Sequence, residues 1–418
     1  MNADWPLRKL SDVADFLNHK RVPLKSLDRD KRQGEYPYYG ASGVVDHIDD
    51  YIFDGTYLLI SEDGENLRTR KTPIAFKATG KFWVNNHAHI LAEKEEGILD
   101  YLEYYFSNLD LTPYITGAVQ PKLNKTNLDT VEIPVPPKEE RLYINRVLNS
   151  FTNKIELNRQ TNQTLEHIAQ TIFKSWFVDF EPTYAKIAAK QAGQDPERAA
   201  IAAISGKSLE EINQLTPEQQ EQLKATAALF PDRLMESELG EVPEGWRIQI
   251  LEDILELAYG KALKKSDRVD GEFPVYGSGG FTGTHHKPLV DGPGIIVGRK
   301  GTVGALYWED ESFFPIDTVF YVKCKHETRL VYVYYLLQTL GLDNMNTDAA
   351  VPGLNRNNVY RLEVVKPPKD LVCIFSSLIE GFRAQIATNK KETMSLVSIR
   401  DSLLPKLLSG ELDRNKVA

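Results

Sequence analysis

Arg299 and Lys300 stand among glycines at Gly294, Gly298, Gly301 and Gly304. Glycine lets a backbone approach another surface where a Cβ would block it. A guanidinium on such a loop offers paired donors that match guanine O6 and N7, and a nearby lysine suits a phosphate. Glu62 and Asp63 form an acidic pair in the first half of the chain. Such a pair accepts from cytosine or adenine amino groups, or simply forms a turn. Gln120, Lys122 and Asn124 follow in Gln120-Pro-Lys-Leu-Asn124, with counterparts at Val351, Gly353 and Asn355. Only Asn124 and Asn355 keep an amide in both places; adenine contact and turn capping both fit them. The clusters Lys20-Arg21, Lys31-Arg32, Arg68-Thr-Arg70-Lys71 and Lys264-Lys265 add positive charge, which is equally the mark of a solvated surface.

Familiar catalytic arrangements are missing. Gly206-Lys207-Ser208 lacks the upstream glycine of a phosphate-binding loop. No His-Glu-x-x-His run occurs, and the Pro-Pro pairs follow Val135 and Lys366, unlike an amino-methyltransferase motif. His87 and His89 share a strand face, whereas the adjacent His285 and His286 should face opposite ways. Neither pair makes a metal site on its own. Two cysteines, Cys324 and Cys373, build neither a disulfide framework nor a thiolate zinc site. The chain reads as a binder that binds no cofactor or metal itself.

The candidate residues recur because the chain is duplicated. Gly34-Glu-Tyr-Pro-Tyr-Tyr-Gly40 matches Gly271-Glu-Phe-Pro-Val-Tyr-Gly277 at an offset of 237 (271 − 34). Glu62-Asp63 and Arg299-Lys300 are equivalent at that offset. Beyond them the offset becomes 231 (332 − 101), pairing Tyr101 with Tyr332, Pro121 with Pro352 and Asn124 with Asn355. Each copy opens with a mixed region. Short β-rich runs include Tyr57 to Ile60 and Ile295 to Val297, and Thr79-Gly80 reads as a hairpin turn. A helix follows, with Ile98, Leu102, Tyr105 and Leu109 on one face.

Each copy closes with a long helix starting near Pro137 or Pro368. Phe151, Ile155, Leu165, Ile168, Ile172 and Trp176 form a stripe, followed by Phe177. Phe382, Ile386, Leu396, Ile399, Leu403 and Leu407 repeat it. The spacing is that of a coiled coil, on which Asn158 and Asn389 lie in phase as register-setting or solvated residues. Packing the two stripes antiparallel gives a dumbbell. The expected class is α+β: two mixed α/β domains in tandem pseudo-two-fold repeat, separated by a long antiparallel two-helix coiled coil.

The formal charge is −9 over 418 residues. Residues 179–245, outside both copies, hold 6 Lys and Arg against 13 Asp and Glu, so most of the acidity sits there. Ser208-Leu-Glu-Glu211 and Thr216-Pro-Glu-Gln219 in that stretch are capping-box patterns and predict short helices. No apolar run approaches the roughly 20 residues that span a bilayer, and Met1-Asn2-Ala3-Asp4 begins no apolar leader. A cytoplasmic protein without membrane association is the expectation.

Several of these runs resemble the DNA specificity (S) subunit of type I restriction-modification enzymes. Trp5-Pro-Leu-Arg-Lys-Leu and Trp246-Arg-Ile-Gln-Ile-Leu resemble domain starts, as do Tyr38-Tyr-Gly40-Ala-Ser-Gly43 and Tyr276-Gly-Ser-Gly-Gly280. Phe173-Lys-Ser-Trp-Phe-Val-Asp-Phe-Glu-Pro182 and the run from Leu229 to Trp246 are the most specific. With these motifs Ser42, Asn66, Ser278, Thr302 and Arg356 join the candidate DNA-contacting set. The resemblance implies target-recognition domains at 1–138 and 246–369, long helices at 139–180 and 370–410, a connector at 181–245 and a polar tail at 411–418. It implies one domain per half of a split site on double-stranded DNA. It also implies two adenine-N6 methyltransferase (M) subunits and restriction/motor (R) subunits as partners, which hold the S-adenosylmethionine, ATP and Mg²⁺. A solitary DNA-binding regulator is the alternative, weakened by the lack of a strongly basic surface.

Overall fold

The structure is a computed structural model and describes residues 4–346 and 353–412. Val351, Pro352 and most of the polar tail lie outside them. Two compact units divide the chain: Met1–Asn158 with Lys391–Ala418, and Arg159–Lys390.

The first unit is built on six strands in the order Ala14–Phe16, Ala88–Glu93, Phe53–Ser61, Ala75–Val84, Gln33–Gly40, Gly43–Ile48. Neighbours are antiparallel except Gln33–Gly40 beside Ala75–Val84. Along Phe53–Ser61 the side chains alternate between two cores. Leu58 and Ile60 pack with Tyr101 and Leu102 of the helix Ile98–Asn108. Leu59 packs on the other side with Phe53, Phe82 and Ile90. The expected Thr79-Gly80 hairpin does not exist, because both residues lie inside the Ala75–Val84 strand. Gly80 (φ +88°) faces Gly55 (φ +133°) in register. The facing glycines take positive φ without ending either strand, and Gly80 carried the turn signal.

The second unit repeats the plan with more divided sheets. Leu255–Tyr259, Val319–Cys324, Gly294–Gly298 and Leu306–Glu309 form one; Gly280–His285, Phe273–Gly277 and Phe314–Pro315 form another. The duplicated glycines have a packing reason. A Cβ on Gly34 would lie 2.5 Å from the Asp49 backbone, and one on Gly271 would lie 2.4 Å from the His286 backbone.

The long helices are Lys138–Phe177 and Lys369–Leu408, 40 residues each, about 60 Å at 1.5 Å per residue. In the first unit Ile144 and Leu148 share a core with Leu407 and Leu408, while Asn158 Nδ2 donates to Glu392 Oε2 at 2.8 Å. In the second unit Asn389 Nδ2 donates to Asn162 Oδ1 at 2.8 Å, and Phe173 packs on Phe375. Rising numbers on one helix meet falling numbers on the other in both units, so the pairing is antiparallel. Asn158 and Asn389 are buried on the seam with directional partners.

Ile168 and its repeat mate Ile399 depart from the expected stripe, being 39% and 45% exposed. Ala169 is fully buried in place of Ile168. A two-helix seam is narrow, and the buried steps Ile155, Asn158, Ala169, Phe173, Trp176 leave residue 168 on its flank.

The connector folds as the helices Glu181–Gln191, Pro196–Ser205, Leu209–Asn213 and Pro217–Ala227. Ser208 and Thr216 form the two expected capping boxes. Ala200, Ile201, Ile212 and Ala227 give it a small core. Where it rejoins the second unit, Phe180, Phe230 and Trp246 pack around Trp176 and Phe177.

Phe173 is 1% exposed and touches four aromatic rings. Phe173→Ala should cost about 3–5 kcal/mol in urea denaturation. Ile168→Ala, on the flank, should stay within about 1 kcal/mol. Equal losses would contradict this seam.

Candidate nucleic-acid interface

In both units the candidate side chains sit on loops at strand ends, joined by the same two backbone links. In the first unit Leu123 N–H donates to Glu62 O at 2.7 Å, and Asp63 bridges Lys122. In the second Leu354 N–H donates to Arg299 O at 2.8 Å, and Lys300 bridges Gly353. The loop after one strand is thus tied to the loop before a short helix. Asn124 and Asn355 cap those helices: their side chains accept from Asn127 N–H and Asn357 N–H, each at 2.9 Å. The turn-capping role is real for both.

The glycines around Arg299 first serve the turn itself. A Cβ on Gly298 would fall 2.0 Å from Thr302 O, and one on Gly304 (φ +72°) would fall 2.3 Å from the backbone at Leu342 and Asp343. The tight turn leaves Lys300 and Thr302 exposed, with Arg299 half-buried. Arg299 Nη1 donates to Asp317 O at 2.9 Å, and the guanidinium lies 4.9 Å from the Tyr259 ring centre. Arg356 approaches the same ring at 5.1 Å. Lys264 and Lys265 are exposed beyond the strand that ends at Tyr259, and Ser278 is half-buried. Tyr259 was not among the sequence candidates. Its signal was an aromatic residue directly before a glycine and a basic run, Tyr259-Gly260-Lys261.

The first unit is different electrostatically. Glu62 Oε2 meets Arg21 Nη1 at 2.6 Å, and Lys122 Nζ lies 3.8 Å from Oε1. Arg21 also donates to the carbonyl of Ala88 at 2.9 Å. The Glu62 carboxylate is therefore already occupied by cations. Asp63 pairs with His87 Nδ1 at 2.8 Å. Arg68 donates to Gly117 O at 2.9 Å, and Asn66 closes a loop with Thr72. Lys20, Ser42, Lys71 and Gln120 are exposed around these loops.

The histidines behave differently from expectation in one pair. His285 and His286 do not face apart; their ring centres are 4.4 Å from each other, because the strand ends at His285 and the next residue turns. Among the described residues no group of three His, Cys, Asp or Glu is placed to hold a metal ion.

Residues 2–167 and 243–380 match the family described as type I restriction modification DNA specificity domain. The type I restriction enzyme HindI specificity subunit of Haemophilus influenzae is 30% identical over 332 residues, 70% of this chain and 71% of that one. The MjaIX specificity subunit of Methanocaldococcus jannaschii is 23% identical over 459 residues, covering 98% and 94%. A crystal structure of the type I restriction-modification S subunit from M. genitalium shares the fold, with a TM-score of 0.60 at 18% identity over 97% and 96% of the two chains. The chain belongs to the type I restriction-modification DNA specificity family. It is a specificity subunit, a DNA-recognising and non-catalytic component of such a system.

His89 gives the first loop cluster a pH dependence. Its side chain is 1% exposed, Nε2–H donates to Leu123 O at 2.7 Å, and Nδ1 accepts from Asn18 Nδ2 at 2.8 Å. Burial pushes this imidazole below its ordinary value, against the opposing pull of the Leu123 carbonyl and Glu62. A depressed histidine contributes stability above the unfolded value of about 6.5 and loses it as pH falls. The melting temperature should therefore drop between pH 7 and 5.5 more in the parent than in His89→Gln. Parallel curves would contradict a neutral buried His89.

Proposed function

We propose that this subunit reads an asymmetric bipartite site on double-stranded DNA, one half-site per unit. It would dock two adenine-N6 methyltransferase (M) subunits together with restriction/motor (R) subunits. The observation that carries the reading is the pair of equivalent loops with opposite chemistry. Glu62 and Asp63 occupy the place that Arg299 and Lys300 hold in the second unit, on the same backbone links. Readers with unlike loops select unlike bases.

Docking is supported by apolar side chains that the helix seam leaves outside. Leu157, Met394 and Ile399 are exposed in the first unit, and Ile168 and Leu378 in the second. A partner helix would bury them. S-adenosylmethionine, ATP and Mg²⁺ belong to those partners. The helix Lys369–Leu408 is long and apolar enough to cross a membrane by composition. Its Leu371, Phe375 and Ile379 instead fill the core of the second unit, which fits a cytoplasmic protein acting away from membranes.

Affinity for DNA comes largely from phosphate neutralisation, and a chain of net charge −9 has little to spare. The isolated subunit should bind DNA weakly and gain affinity with its partners. Mapping adenine methylation in the native genome, with and without this gene, tests the reading. Loss of a single split, non-palindromic motif is expected. A palindromic motif, or no change in methylation, refutes it.

A further inference from the structure

We propose that Arg299 and Arg356, held against the Tyr259 ring, form a guanine-reading element in the second unit, with Tyr259 as its positioning residue. This rests on the DNA-reading role above and assigns it to particular atoms.

Five arginines lie against aromatic rings among the described residues: Arg29, Arg32, Arg299, Arg356 and Arg383. Three of them also hold a carboxylate. Arg29 pairs with Asp46, Arg32 with Asp49 and Arg383 with Glu166. Among the described residues Arg299 and Arg356 hydrogen-bond to carbonyls alone, Asp317 O at 2.9 Å and Leu257 O at 3.5 Å. Among the described residues no carboxylate meets this pair. Two uncompensated guanidiniums on one ring repel each other, and an incoming acceptor relieves that repulsion.

The supports are rigid. Tyr259 ends a strand and packs edge-on against Phe320, its register partner, at 5.0 Å. Arg299 is fixed by the tight turn, and Leu354 N–H on the Arg356 side donates to its carbonyl. Arg356 opens the helix that Asn355 caps. A guanidinium resting on a ring loses little rotamer freedom on binding and has donors beyond the one that meets a carbonyl. Those donors match guanine O6 and N7, the commonest specific arginine contact. Tyr259 itself is 49% exposed, so the element faces solvent.

Among the described residues the first unit has no ring shared by two arginines; Lys125, the repeat mate of Arg356 (356 − 231), lies alone over Phe16 at 4.8 Å. The repeat mate of Phe320 is His89 (320 − 231), which is buried and bonded to Asn18. Arg21 there is neutralised by Glu62. Guanine reading by stacked arginines is therefore confined to one half-site.

Genome-wide methylation in cells carrying Tyr259→Leu, Tyr259→Phe or Arg356→Lys tests the assignment. The parent should show a split motif with at least one fixed G·C pair in one half. Tyr259→Leu should relax that pair by roughly 5- to 100-fold, as expected for losing a bidentate contact, and leave the other half-site fixed. Tyr259→Phe keeps the ring and should restore the preference. Arg356→Lys keeps the charge but not the fork, and should relax the same half. Uniform loss at all sites with base preferences intact would overturn the proposal, since it marks a phosphate contact or a folding defect. An unchanged Tyr259→Leu motif, or a relaxed pair in both halves, would overturn it too. A parent without any split motif would overturn the bipartite reading itself.

Discussion

Leu407 and Leu408 sit at the far end of the second long helix, yet they are buried in the core of the first unit with Ile144, Leu148 and Tyr101. Phe173, Trp176 and Phe177, at the end of the first long helix, are buried in the second unit with Tyr332, Tyr335 and Phe375. Each core thus includes the end of a long helix whose other end belongs to the other unit. Burying side chains of this size contributes roughly 1.5–3 kcal/mol each, so the closing contacts are a large part of each unit's stability. The duplication makes this mutual arrangement simple: a domain followed by a helix, twice, with the helices antiparallel.

The same duplication explains how one architecture serves two readings. Backbone links, helix caps and glycine turns repeat, whereas the side chains on the loops do not. In the first unit Arg21 and Lys122 neutralise Glu62 beside the buried, neutral His89. In the second, among the described residues, Arg299 and Arg356 lie beside Tyr259 and meet carbonyls in place of carboxylates. The acidic total of the chain therefore says little about the second loop cluster. Much of that total lies in the connector, which has a small core of its own.

Repetition and periodicity carried most of the legible information. The offsets located equivalent loops, and the capping boxes at Ser208 and Thr216 predicted real helix starts. Errors arose where local pattern met tertiary packing. Gly80 suggested a turn, but across from Gly55 it sits inside a continuous strand pair. Ile168 matched a heptad, but a two-helix seam has room for Ala169 instead. Tyr259 escaped notice because its meaning depends on Arg299 and Arg356, 40 and 97 positions away (299 − 259; 356 − 259). Such pairings follow from topology, which a single sequence does not display. Charge was similarly opaque: Glu62 looked like a free acceptor until Arg21 was found against it.

Hydrogen exchange measures directly how far each core depends on its long-helix end. In the full chain with Leu407 and Leu408 both changed to Asn, amides of the Phe53–Ser61 strand should lose protection. Those of Gly294–Gly298, in the other unit, should keep theirs. Phe53–Ser61 amides as protected as in the parent would contradict this, since the first unit would then not depend on the distal helix.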